Sequence, residues 1–154
     1  MGELKTITEA TQYIKIMMGQ EQYGIEIKHV DNIVRMQTIT RVPKIAHYLK
    51  GVINIRGEII PIMSLRLKMG LPEVEETKAT RIIILRLESN DMLGLIVDEV
   101  KDVISLYPEE IEKVLRDPKN ESANFLSGIG KDKDNLISLL DINEVITDKN
   151  NPIE

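Results

Sequence analysis

Short apolar runs recur along the chain, each closed by Gly, Pro, Asn or Asp. Tyr13-Ile14-Lys15-Ile16 alternates, Met17–Glu21 reads as a turn, and Tyr23-Gly24-Ile25-Glu26-Ile27 alternates again, which predicts a hairpin. A second hairpin is predicted over Gly51–Ile62, turning at Arg56-Gly57. Pro61 has no N–H for a ladder, so its strand is expected at a sheet edge or to end there. A third hairpin pairs Arg81–Leu87 with Met92–Val97 across Ser89-Asn90-Asp91, and its unbroken apolar run predicts a strand buried on both faces. A fourth pairs Phe125–Gly130 with Asn135–Leu140 across Lys131–Asp134. Helix signals are brief: a first turn at Pro108-Glu109-Glu110, and Asp141 as the cap of a short helix through Val145. Residues 1–8 and 148–154 are expected to be flexible ends, and Glu73–Lys78 a polar linker.

The pattern repeats. Gly24–Val34 aligns without gaps on Gly94–Ile104, Tyr48–Val52 on Phe125–Ile129, and Ile59–Leu65 on Leu136–Ile142. Matching glycines in register, in the same order in both halves, point to duplication. Each half then holds four or five short strands in about 65–70 residues, the size of a small closed barrel. So small a barrel is marginal alone, so two are expected to pack on each other, with the seam between them as a natural groove.

Composition narrows the function classes. Aromatics are 3% of 154 residues, so Ile, Leu, Val and Met must build the core, and β-branched residues favour strands. The net charge of −5 is interspersed, which argues against nucleic acid or an anionic membrane surface as the main partner. Without cysteine there is no disulfide, thiolate nucleophile or zinc–thiolate site. No apolar stretch approaches the roughly 20 residues that cross a bilayer, and Met1–Gln12 lacks a signal-peptide core, so a cytoplasmic protein is expected.

Catalytic constellations are not found. His29, with Asp31 nearby, and His47 each lack further ligands with metal spacing. Asp132-Lys133-Asp134-Asn135 lacks the glycine and late glutamate of a calcium loop, and Gly128-Ile129-Gly130-Lys131 lacks the spacing that cradles phosphate. There is no nucleophile elbow, and acid pairs such as Asp98-Glu99 and Glu109-Glu110 are ordinary surface composition. No catalytic residue, metal or cofactor is expected. Arg56 is either a solvated turn residue beside a turn glycine or an exposed binding anchor, since arginine is enriched at interface hot spots.

Gly51-Val52-Ile53-Asn54-Ile55-Arg56-Gly57-Glu58-Ile59-Ile60-Pro61-Ile62 closely resembles the G-V-x-N-L-R-G-x-I-x-P-I/V segment of CheW-type chemotaxis coupling proteins. Tyr23–Ile27, Tyr48–Gly51 and Gly94–Val100 resemble further segments of that family in the same order, so the likeness runs from about Thr11 to Ile146. It implies an all-β fold, residues 11–146, of two SH3-like five-stranded barrels around a shared core, interleaved or sequential, roughly 11–72 and 79–146. It also implies a non-enzymatic adaptor that joins the cytoplasmic tip of methyl-accepting chemoreceptors to the regulatory domain of the histidine kinase CheA, recruited to membrane receptor arrays. Receptor contact is implied at Val30, Asn32, Ile33, Gly51, Arg56, Val100 and Val103, and kinase contact at Ile27 and Lys50. At Asn32 the family often carries an acid, and Ile55 replaces leucine. The other reading within the same superfamily is a kinase regulatory domain or an adaptor fused to a receiver domain, against which a chain starting at Met1 with no second domain counts. A small enzyme and a nucleic-acid-binding barrel are the rivals from other classes; the latter needs a basic, aromatic-rich face.

Overall fold

The computed structural model describes residues 10–115, 119 and 125–147. The two ends expected to be flexible, 1–8 and 148–154, lie outside them. The strands are β1 (Thr11–Met18), β2 (Glu21–Glu26), β3 (Val30–Arg35), β4 (Leu49–Ile55), β5 (Glu58–Ser64), β6 (Arg81–Arg86), β7 (Met92–Val97), β8 (Glu99–Leu106), β9 (Ile111–Lys113), β10 (Leu126–Asp132) and β11 (Asn135–Leu140). Two short helices, α1 (Leu65–Lys68) and α2 (Ile142–Ile146), follow β5 and β11. The fold is mostly β, as the alternation and the β-branched composition predict.

The described residues fall into two compact units. One joins the chain up to Ile27 to Val100–Ile146, and its six strands run in the order β8-β1-β2-β11-β10-β9. The other is Lys28–Glu99, with the order β3-β6-β7-β5-β4. Each sheet therefore takes strands from both sequence halves. Strand β2 of the β1–β2 hairpin runs parallel to β11, pairing Tyr23 with Ser138 and Gly24 with Leu139. Strand β7 of the β6–β7 hairpin runs parallel to β5, pairing Ile62 with Gly94. The N-terminal hairpin of each repeat completes the sheet of the other.

Both sheets curl. In the five-stranded one, Thr40 follows the edge strand β3 and bridges Val52 on the opposite edge, β4, through two backbone bonds of 2.9 Å. In the six-stranded one, the end strands β8 and β9 are consecutive, separated by Tyr107 and a 3-10 turn at Pro108–Glu110. The sixth strand is thus the continuation of the fifth beyond a bend. Glu110 caps that turn by accepting the Tyr107 N–H at 2.8 Å.

The cores are aliphatic. Tyr13, Ile104, Leu106, Ile137 and Leu139 cluster in the first unit, and Ile53, Ile60, Ile62, Ile82 and Ile84 in the second. On β6, Ile82, Ile83, Ile84 and Leu85 are all buried, as its unbroken run predicts. Ile62 faces Gly51 on β4 and Gly94 on β7, and Leu139 faces Gly128 on β10 and Gly24 on β2. The aligned glycines of the two repeats hold equivalent places.

Several local expectations shift. The first turn narrows to Gly19-Gln20, because Met17 and Met18 continue β1 and Met18 is buried. Ile27 leaves the strand for a 3-10 turn at Ile27–His29. Pro61 is not on an edge strand: β5 lies between β4 and β7. Its partner Val52 spends both backbone groups on Thr40, so Val52–Pro61 is a non-hydrogen-bonded pair, and the β7 ladder begins only at Ile62. No ladder bond needs a Pro61 N–H. Helix α1, without a strong pattern of its own, is capped by Ser64 Oγ, which accepts the Leu67 N–H at 3.2 Å.

A methyl added at Gly94 would come within 2.5 Å of Ile62 Cδ1 and 2.9 Å of Ile82 Cγ2, and one at Gly24 within 2.9 Å of Leu139 Cδ2. Gly94→Ala and Gly24→Ala are each expected to cost about 1–3 kcal/mol by overpacking. At about 2–4 °C per kcal/mol for a chain of this size, a thermal melt reads the loss directly, and an unchanged melt would refute the glycine–aliphatic–glycine packing.

Candidate functional site

The β4–β5 hairpin closes on two residues. Ile55 pairs with Glu58, and Arg56 (φ 52°) and Gly57 (φ 85°) both sit in the left-handed region, the geometry of a type I′ turn. Asn54 Oδ1 accepts the Gly57 N–H at 3.0 Å. Asn54 and Gly57 thus set the turn, and each is explained by backbone chemistry. Arg56 is not. At the first turn position Asn or Asp would be locally better, and a left-handed backbone costs a residue such as arginine about 1–2 kcal/mol. Its guanidinium is exposed and has no hydrogen-bond or ion-pair partner among the described residues. Nothing within the described fold uses the side chain that the strain holds at the tip.

Gly51, at the other end of β4, is buried with φ 137°. A Cβ there would collide with the Thr40 carbonyl that closes the barrel. Its identity is therefore demanded by the fold, whatever approaches it from outside. Between Leu49 and Gly51 the register slips: Leu49 faces Met63 and Gly51 faces Ile62, which leaves Lys50 as a bulge. Bulges re-aim side chains, and the Lys50 ammonium is ion-paired with Glu73. The aligned stretch on β10 slips in the same way at Ser127, so the duplication extends to the bulge.

On β3, Val30 and Ile33 are half-buried and Asn32 is exposed. Asn32 Oδ1 turns back to accept the Ile33 N–H at 2.8 Å, a bond an aspartate could equally make. A bulge at Asp31 frees that carboxylate to receive Arg86 Nη2 at 2.8 Å. Val30, Asn32, Ile33, Lys50, Gly51 and Arg56 thus share the Lys28–Glu99 unit. Ile27, half-buried, and Val100 and Val103 on β8 belong to the other; Val103 is 50% exposed, unusual for valine on a strand. His29 is half-buried and His47 stands edge-on to Tyr48 at 5.5 Å between ring centres. Among the described residues no group of three or more His, Asp or Glu side chains could hold a metal.

Sequence reasoning missed a cavity of about 690 Å³ in the Lys28–Glu99 unit, formed by the loop before β4 and lined by Ile39, Arg41, Lys44, Ile45, Lys50 and Glu73 among others. A smaller one of about 210 Å³ lies under residues 73–76 and shares Ile39, Lys50 and Glu73 with it. The exposed Val42 and Ile45 were a signal, since they fall in a polar segment with no strand to bury them. Arg66 was missed too. Its Nε and Nη2 reach the Asp98 carboxylate at 2.9 and 2.7 Å, and its Nη1 reaches the Pro72 carbonyl at 3.0 Å. The Asp98 hydrogen bonds raise the guanidinium pKa further above its ordinary value, so this cation is permanent.

A family model described as CheW-like domain matches residues 12–150. The chemotaxis protein CheW of Bacillus subtilis is 35% identical over 145 residues, 94% of this chain and 90% of that protein. The chemotaxis protein CheW of Helicobacter pylori is 33% identical, covering 90% and 82%. The crystal structure of the scaffolding protein TtCheW from Thermoanaerobacter tengcongensis superposes with a TM-score of 0.82 at 29% identity, over 90% of this chain and 94% of that one.

If Arg56 is held at the turn for its side chain, local relief should stabilise the fold. Arg56→Asn, which restores the preferred Asn-Gly pair, is expected to raise the melting temperature by about 2–4 °C per kcal/mol of relieved strain. A lower melting temperature in a thermal scan would mean that the fold itself needs the arginine.

Proposed function

The chain belongs to the CheW-like family and is a chemotaxis scaffold protein, and from that premise we propose that it joins chemoreceptors to the histidine kinase CheA, without catalysis, through two separate surfaces. The observation that carries this reading is Arg56, an exposed cation without a partner among the described residues, on a turn that would be more stable without it. Strain of this kind persists where a side chain has work outside the fold.

The receptor contacts are Arg56, the β3 residues Val30, Asn32 and Ile33, and Gly51 in the Lys28–Glu99 unit, and Val100 and Val103 on β8 in the other. A receptor's cytoplasmic tip is a helical partner, and helices dock by laying apolar side chains against an apolar surface with polar groups at its margin. Val103 supplies exposed aliphatic area, and Arg56 supplies hydrogen bonds to a carboxylate or to the carbonyls at a helix end. The kinase contacts are Ile27 in one unit and Lys50 in the other, which meet the CheA regulatory domain. No helix among the described residues is long and apolar enough to cross a membrane, so the chain's place at the receptor array follows from these contacts. Each contact is of order micromolar, about 8 kcal/mol, and the array strengthens both by raising effective concentration.

Co-sedimentation with receptor-tip fragments and purified kinase tests the assignment. Arg56→Ala is expected to weaken receptor capture while leaving the melting temperature within a degree or two, because alanine carries the same left-handed strain. Ile27→Glu is expected to reduce kinase capture and leave receptor capture intact. Equal loss of both partners in either variant would sink the two-surface arrangement.

A further inference from the structure

We propose that Glu73 is a built-in competitor for Lys50: its carboxylate holds, from within the chain, the place that an acidic side chain of the kinase regulatory domain takes on docking. This rests on the reading of Lys50 as a kinase contact and adds how access to it is controlled.

The segment that carries Glu73 is pinned at both ends. Before it, the Pro72 carbonyl accepts from Arg66, itself held by Asp98. After it, Thr80 Oγ1 accepts the Thr77 N–H at 2.9 Å, and Thr77 Oγ1 accepts the Ala79 N–H at 3.0 Å. Of residues 73–76, only Glu73 makes a side-chain hydrogen bond or ion pair among the described residues, and it makes it to Lys50. The strap is thus held by hydrogen bonds before and after residues 73–76, and between those bonds by one exchangeable pair, Glu73 with Lys50. That pair, with Ile39, is the wall shared by the two cavities.

The larger cavity states the chemistry of its occupant. Its lining carries Arg41, Lys44 and Lys50 against the single acid Glu73, in a chain whose net charge is −5. Arg41 and Lys44 have no ion-pair partner among the described residues. Beside these cations stand Val42 and Ile45, 38% and 37% exposed. An acidic segment bearing aliphatic side chains satisfies both features. Exchange is easy, because Glu73 and Lys50 are 52% and 33% exposed and ion pairs in contact with water are weak.

Calorimetric titration of the full-length chain with the purified CheA regulatory domain tests this. Glu73→Gln, which keeps the shape and removes the charge, is expected to tighten binding about twofold to fivefold, with the gain shrinking at high salt. Lys50→Ala is expected to weaken binding, and Glu73→Gln added to Lys50→Ala to give no gain. If Lys50→Ala weakens binding but Glu73→Gln leaves it unchanged or weaker, the competitor role is overturned while the kinase contact stands. A gain from Glu73→Gln that survives in the Lys50→Ala background also overturns it, since the effect then bypasses Lys50. Wild-type affinity in Lys50→Ala overturns the kinase contact itself.

Discussion

In each barrel a buried aliphatic side chain lies between two glycines, and on the one from the other sequence half it leaves room for nothing larger than hydrogen. Ile62 lies between Gly51 and Gly94, and Leu139 between Gly128 and Gly24. In each case one glycine belongs to the same sequence half as the aliphatic residue and the other to the opposite half. The close fit of Ile62 on Gly94 and of Leu139 on Gly24 thus joins a strand of one repeat to the exchanged hairpin of the other. Parallel pairing occurs in both sheets, at β2–β11 and β5–β7, although every hairpin is antiparallel. Register follows from the same fit, because a slip of one residue would drive a side chain into the aliphatic centre. Neither sequence half holds all the strands of one sheet.

The hairpin tips and bulges depart from this regularity. The two repeats share glycines, bulges and an aliphatic centre, yet differ at what the hairpins display. The β4–β5 turn is a type I′ pair set by Asn54 and Gly57, whereas the β10–β11 turn has Lys133 at φ 60° and no glycine. The bulge at Lys50 frees a cation, and the matching bulge frees only Ser127. Where local preferences and observed residues conflict, as at Arg56, the fold carries a small cost that its own contacts do not repay.

Much was legible from local chemistry. All four hairpins follow from alternation and turn residues, the burial of β6 follows from its unbroken apolar run, and Asp141 does precede a short helix, its Oδ1 accepting the Glu144 N–H at 3.4 Å. Strands β3, β8 and β9 were not individually legible. Their side chains are half-exposed, so the apolar–polar contrast that marks a strand is weak, and only the alignment of Gly24–Val34 with Gly94–Ile104 hinted that β3 and β8 correspond. The place of Pro61 was misjudged for a related reason: the bond its nitrogen lacks depends on Val52 pairing with Thr40, a long-range fact.

By itself the sequence determined the class of structure, the duplication, the turn at Arg56-Gly57 and the absence of a recognisable catalytic motif, since all of these rest on residue type and short spacing. Tertiary structure alone decided which hairpin completes which sheet, because parallel pairing between distant strands leaves no local signature. It decided equally that Arg56 goes unpartnered within the described fold while Lys50 is already paired. Two cations, one on a strand and one at its turn, read alike in sequence, and only the path of residues 71–79 brings a carboxylate to one and not to the other.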